Sequence, residues 1–216
     1  MPRTSRTSRR APASPRRDTR NDIFFAAAEA FSARGFEGVG VDDIARAAGV
    51  NKAMIYYHFA DKLALYRAIV AEMLTEGGRL IETAAALDGT PEDKVKQFIA
   101  AFAELAAARP WFPTMMMREV AEGAPHLDAE TLARMRNIFV TFGRLLAEGE
   151  AAGRFRHVNP VLAYMSTLGP MVFNAARERA GAVPGRRDLP MFAEVPREEL
   201  TRHMQETVIR MLAKER

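Results

Sequence analysis

The stretch from Val41 to Phe59, VDDIARAAGVNKAMIYYHF, constrains this chain more than any other. Ile44, Ala45 and Ala48 recur at the spacing of one helical face, Gly49 can turn with a positive φ, and Asn51 can cap a second helix. Two short helices joined by so tight a turn follow the grammar of a helix-turn-helix. On the second helix Ile55 and Phe59, four residues apart, point inward and leave Lys52, Ala53, Met54, Tyr56, Tyr57 and His58 facing outward. Such a face suits a DNA groove: Lys52 can donate to guanine O6 or N7, and Ala53, Met54 and the Tyr57 ring can touch thymine methyls.

Upstream, Ile23, Phe24, Ala27, Ala30 and Phe31 describe an amphipathic helix from Asp18 to Arg34, with Asp18 or Thr19 as its N-cap and Gly35 as its stop. Phe36 and Val39 then fill the space before the helix-turn-helix. Taken together, IFFAAAEAF, RGFEGV, VDDIARAAGV and IYYHF, followed by Lys62 and Leu65, resemble the N-terminal DNA-binding domain of the tetracycline-repressor (TetR) family. The resemblance runs in unbroken register from about Arg20 to Leu65; the rest of the chain carries no motif of comparable strength. It implies that Lys52, Ala53, Met54 and Tyr57 meet base edges, while Tyr56, His58 and Lys62 hold backbone phosphates. One position departs from the family. Gly40 stands where a Thr or Ser usually caps the first helix of the motif and binds a phosphate; glycine can still cap, without the side-chain hydrogen bond.

Charge is distributed unevenly. The net charge is +4, yet residues 1–17 hold six arginines and no acid, which leaves −2 on the remainder. This Pro-, Ser- and Thr-rich tail has no apolar face to bury and is expected to be disordered when free. With Asp42 and Asp43 inside the motif, the helix-turn-helix is short of positive charge, and the tail, Arg16 and Arg17 in particular, is expected to reach phosphates or the minor groove beside it. A solvated leader is the plainer reading of the tail.

There is no cysteine, so neither a disulfide framework nor a thiolate metal site can form. His58, His126, His157 and His203 show no metal-ligand spacing, and no nucleophile and base pair stands out. The expectation is a non-enzymatic protein of the cytoplasm without cofactor or metal, and no apolar run approaches membrane-spanning length.

Past Asp61 the sequence continues helical. One long helix carries Leu65, Tyr66, Ile69, Val70, Met73 and Leu74, with a bend expected at Gly77 and Gly78. Thr90 and Pro91 open another, and Pro110 and Pro113 predict a break around Trp111 and Phe112 before a Met115 to Glu122 segment. A helix with Leu132, Met135, Phe139, Phe142 and Leu145 follows, then one from Asn159 and Pro160 that Gly169 and Pro170 can kink. Residues 181–196 read as a loop, and Leu200, Met204, Val208 and Met211 form one stripe of a last helix.

The fold class is therefore all-α: a tail over residues 1–17, a three-helix helix-turn-helix domain over 18–62, and a larger helical domain over 63–216. The second domain is rich in Met and aromatic residues, and core packing competes with a cavity for them. The family resemblance implies a small, mostly apolar effector there, with Phe98, Phe102, Trp111, Phe112, Met115, Met116, Glu119, Phe139, Phe142, Tyr164, Met165 and Leu168 as candidate contacts. It also implies a homodimer through the last two helices, at Val172, Ala176, Leu200, Met204, Val208 and Met211, although core packing would give the same stripe. The function expected is ligand-responsive repression at an inverted-repeat operator in double-stranded DNA. A non-specific architectural DNA binder, or an activator without a ligand, is the alternative.

Overall fold

A computed structural model describes residues 18–186 and 188–214; the arginine tail, with Arg16 and Arg17, lies outside the described residues. Among these residues the chain forms nine α-helices and no strand. Three short ones come first: α1 (Thr19–Arg34), α2 (Val41–Ala48) and α3 (Lys52–His58). Their boundaries follow from local chemistry. Asp18 accepts from the Asn21 N–H at the start of α1, Asn51 accepts from the Ala53 N–H at the start of α3, and Gly49 closes α2 in the left-handed region at φ 65°. Ile23, Phe24, Phe31, Ile44 and Ile55 are fully buried where the three helices meet.

The chain then enters α4 (Lys62–Ala85), a 24-residue helix capped by Asp61. It runs without a break through Gly77 and Gly78, where a bend was expected. Gly78 is buried, and a side chain at Gly77 would come against Ile138 and Leu105. A Cβ at Gly77 or Gly78 would meet only ordinary van der Waals contacts, so packing does not demand glycine at either position.

The remaining helices are α5 (Pro91–Ala108), α6 (Trp111–Glu122), α7 (Ala129–Ala151), α8 (Pro160–Gly181) and α9 (Arg197–Leu212), with a single 3₁₀ turn at Pro190–Phe192 in the expected loop. α4 packs along α5 and α7, α9 packs on α5, and α6 lies between α1 and α8. The predicted break falls at Arg109 and Pro110, between α5 and α6, and Trp111 and Phe112 already belong to α6. α6 starts at Trp111, so Pro113 falls in its first turn, where an amide N–H has no intrahelical partner to lose. Pro170 likewise sits inside α8 without ending it.

Two details brace the far end. Gly149, near the end of α7, lies directly under the ring of Phe155 and leaves no room for a Cβ. Phe155 is 3 % exposed and bridges to Ala213, while the Arg156 N–H donates to the Leu212 carbonyl at 2.9 Å, which ties the α7 exit to the end of α9.

Candidate nucleic-acid interface and effector cavity

The recognition face is α3. Tyr57 is 80 % exposed, and Lys52, Ala53 and Tyr56 also face solvent. Met54 does not stand free as expected: it is half-buried and packed against the core. His58 is half-buried too, edge-on to Tyr57, and its Nε2 is sealed without a hydrogen-bond partner. Lys52 is held by Asp42, its Nζ donating to the carboxylate at 3.0 Å, and that neighbour raises the lysine above its ordinary value. The lysine expected to read bases therefore has an intramolecular competitor on the preceding helix.

At the start of α2, Gly40 is the N-cap and supplies no side chain. Asp43 compensates in part: its carboxylate accepts the Gly40 N–H at 3.3 Å and binds Arg34 and Arg46, each at 3.1 Å. The Gly40 hydrogen bond first, then Arg46, hold the Asp43 carboxyl below its usual value. Sequence reading passed over these two arginines, and over Arg20, whose guanidinium lies 5.1 Å from the Phe59 ring at the end of α3. The positions of Arg34 and Arg20 beside the motif depend on contacts nine residues apart or more, for which the local pattern gives no signal.

Lys62 is placed otherwise than expected. Its Nζ donates to the Phe36 and Val39 carbonyls at 3.1 and 3.2 Å and lies 4.0 Å from the Phe36 ring centre. It ties α4 to the α1–α2 connection, so the phosphate role assigned to it is withdrawn.

Behind this end sits a buried polar cluster. Glu119 of α6, 2 % exposed, accepts from the Tyr66 hydroxyl of α4 at 2.7 Å, and His126 Nδ1 meets the same carboxyl oxygen at 2.7 Å. The Phe36 ring packs on both His126 and Tyr66. Arg67 of α4 donates to the His126 carbonyl at 2.8 Å. Burial first, then the Glu119 hydrogen bond, push the Tyr66 phenol far above the usual tyrosine range, so it stays a neutral donor.

On the other side of α6 lies a cavity of about 480 Å³, of the size that ligand pockets in proteins usually have. Of the candidate effector contacts, Phe98, Phe102, Phe112, Met116, Tyr164, Met165 and Leu168 line it. Five of the candidates do not. Phe142 and Met115 are core, Trp111 packs edge-on to Phe24 and Phe112, Phe139 sits behind Tyr164, and Glu119 belongs to the polar cluster with Tyr66 and His126. Residues that the sequence reading missed complete the wall, among them Met73, Leu105, Met117, Val120, Ile138 and Phe173. Val172, expected at a dimer contact, lines the cavity as well.

The apolar stripe of α9 is resolved within the chain. Met204 and Val208 are 4 % and 1 % exposed on a helix that packs on α5, and Leu200 and Met211 rest partly buried against the same core. Ala176 is half-buried. The large apolar side chains that this pair of helices leaves in solvent belong to α8: Val161, Leu162, Met165 and Phe173.

No group of three or more potential metal ligands is found among the described residues, and no described helix is long and apolar enough to cross a membrane.

A helix-turn-helix with an exposed recognition helix, joined to a helical body with an apolar cavity, defines a helix-turn-helix transcriptional regulator. Comparison with known families agrees: residues 23–69 match "Bacterial regulatory proteins, tetR family" and residues 91–211 match "Tetracyclin repressor-like, C-terminal domain". The second match alone spans more than half of the chain, which belongs to the TetR family of DNA-binding transcriptional regulators and not to an enzyme family. It is 43% identical over 63 residues to the transcriptional activator FasR of Mycolicibacterium smegmatis, a match covering 29% of each chain. It is 28% identical over 138 residues to the transcriptional regulator RutR of Escherichia coli O157:H7, covering 64% of this chain and 65% of RutR. The chain thus matches less than two thirds of the length of either relative. Among solved structures, the TetR-family regulator PfmR of Thermus thermophilus superposes with a TM-score of 0.70 at 26% identity, over 90% of this chain and 99% of PfmR.

Proposed function

We propose that this regulator is a repressor that binds an inverted-repeat operator as a homodimer and is released when a small, mostly apolar molecule occupies the cavity. One observation carries the reading: α6 has the cavity on one face and the DNA-binding helices on the other. Phe112, Met116 and Val120 line the cavity, whereas Trp111 packs on Phe24 of α1 and Glu119 bonds Tyr66 of α4. A ligand that fits better when α6 is displaced then favours a different placing of α1 and α4, and with them of α3. The shift can be no larger than the ligand's differential affinity for the two arrangements.

On DNA, Lys52, Ala53 and Tyr57 read base edges from the exposed face of α3, with Met54 reaching them only by its outer part. Tyr56, the α2 N-terminus at Gly40, and Arg20, Arg34 and Arg46 meet phosphates, whereas His58, with its Nε2 sealed, packs beneath them. The dimer forms through the face of α8 that the fold leaves apolar and exposed, at Leu162, Met165 and Phe173. A twofold pair sets two recognition helices one helical turn of DNA apart, so the operator is an approximate palindrome.

Selection of bound sites from random DNA by the full chain tests the reading. An inverted repeat with half-sites about one helical turn apart is expected. Enrichment of single half-sites, or of no sequence at all, would overturn it in favour of monomeric or architectural binding. A monomer by light scattering at micromolar concentration would remove the dimer.

A further inference from the structure

The cavity wall narrows the chemistry of the effector, an inference that rests on reading this cavity as the effector site. Its lining contains no Asp, Glu, Lys, Arg or His, and Tyr164 is the only lining side chain with an oxygen or nitrogen atom. The Tyr164 ring is fixed, with Phe139 and Phe142 edge-on to it at 5.5 and 5.8 Å. Burial alone raises its phenol above the ordinary tyrosine value, and no hydrogen-bonding neighbour contributes. The hydroxyl is thus a neutral donor with no hydrogen bond to another described residue, carried by a half-buried side chain that lines an otherwise apolar space. A ligand that offers it an acceptor gains a hydrogen bond the protein does not make by itself. A ligand that brings a charge into the same space meets no counter-charge and loses its hydration.

We propose that the effector is uncharged over the whole part it buries and carries one carbonyl-type acceptor, of a ketone, ester or thioester, that takes a hydrogen bond from the Tyr164 hydroxyl. The hydrocarbon part lies against Phe98, Phe102, Met116 and Leu168, whose side chains discriminate by shape and not by polarity.

The test uses three probes of equal chain length, 2-nonanone, nonane and nonanoate, titrated at pH 8 into the full-length protein and into Tyr164→Phe. Binding is read by calorimetry and by the fluorescence of Trp111, the single tryptophan, which touches the cavity-lining Phe112. The ketone is expected to bind, with Tyr164→Phe weakening it about three- to tenfold and leaving nonane within about twofold, the selectivity of a single lost hydrogen bond. Nonanoate is expected to bind at least about tenfold more weakly than the ketone, because its charge finds no partner. A melting curve for Tyr164→Phe close to that of the parent shows that the fold is retained. Nonanoate binding as tightly as the ketone would overturn the proposal, as would a Tyr164→Phe variant that loses nonane and ketone alike. If the ketone binds through Tyr164 and operator affinity does not change, the ligand class stands and the effector role of the cavity falls. If none of the three probes binds, both fall.

Discussion

Replacing Tyr66 by Phe removes one oxygen atom from the contact between α4 and α6, and its effects can be worked out in advance. The Tyr66 hydroxyl donates to Glu119 at 2.7 Å in a site where Glu119 is 2 % exposed, so water cannot take its place without opening the core. Leaving a buried acceptor short of a donor costs about 1–3 kcal/mol. For a chain of this length each kcal/mol moves Tm by about 2–4 °C, so the variant should melt about 2–12 °C lower. Differential scanning calorimetry at fixed protein concentration gives the number, and Glu119→Gln completes a double-mutant cycle that isolates the pair. The pH dependence has a definite sign. A phenol whose folded value is raised above 10.0 contributes stability that is fully present below the unfolded value and is lost as pH rises beyond it. The alkaline fall of stability above about pH 10 should therefore be steeper in the parent than in Tyr66→Phe. The ratio of operator affinities with and without effector should also shrink, because Tyr66 ties the helix that follows the DNA-binding elements to the one that lines the cavity. An unchanged Tm together with an unchanged ratio would refute the role given to this contact.

Deleting residues 1–17 should weaken operator binding and flatten its salt dependence; if only Arg16 and Arg17 meet phosphates, the slope of log K against log salt changes by about 1.8, and equal slopes would dismiss the arm. Asp42→Asn should free Lys52 and remove a negative charge beside the DNA, so that both operator and unrelated DNA bind more tightly and the operator gains more; an unchanged operator affinity in competition assays would contradict the restraint that the 3.0 Å pairing places on Lys52. Asp93, whose carboxyl is held below 3.8 by the Thr90 hydroxyl first and the Thr90 N–H next, stabilises the start of α5 above that value and loses its contribution as pH falls through its depressed one, so Asp93→Asn should flatten the acid limb of unfolding, which acid titration followed by circular dichroism can read. Gly149→Ala should cost about 1–3 kcal/mol by overpacking against Phe155, and a denaturant midpoint equal to the parent's would show that Phe155 yields easily.

What the sequence discloses follows the range of the interactions concerned. The helix-turn-helix was legible because its grammar is local: Gly49, Asn51, Ile55 and Phe59 act within a few residues of one another. Lys62 was misplaced because its carbonyl partners, Phe36 and Val39, lie more than twenty residues upstream, and a lysine at a helix start looks the same whether it faces phosphate or protein. Met204 and Val208 failed as dimer contacts for a related reason. An apolar stripe on α9 records that something covers it, and here α5 of the same chain does. Glu119 stands among the candidate effector contacts because its partners Tyr66 and His126 are recognisable only once α4 and the α6–α7 connection come together.

The three consecutive methionines of α6 show how the two ends of the protein can be linked by a single helix. Successive residues on a helix point about 100° apart, so no single environment can take all three. Met115 is 1 % exposed and buried in the core, Met116 lines the cavity, and Met117, 40 % exposed, sits at the cavity rim. One helix diameter, about 10 Å, then separates a side chain that lines the cavity from the Trp111 and Glu119 that touch α1 and α4. Over that distance no chain of intermediaries is needed, because a rotation or tilt of α6 is felt on both faces at once. Mutations that alter ligand response without altering operator affinity should therefore concentrate on the cavity face of α6, at Met116, Met117 and Val120. Those that uncouple the two should fall on Trp111 and Glu119.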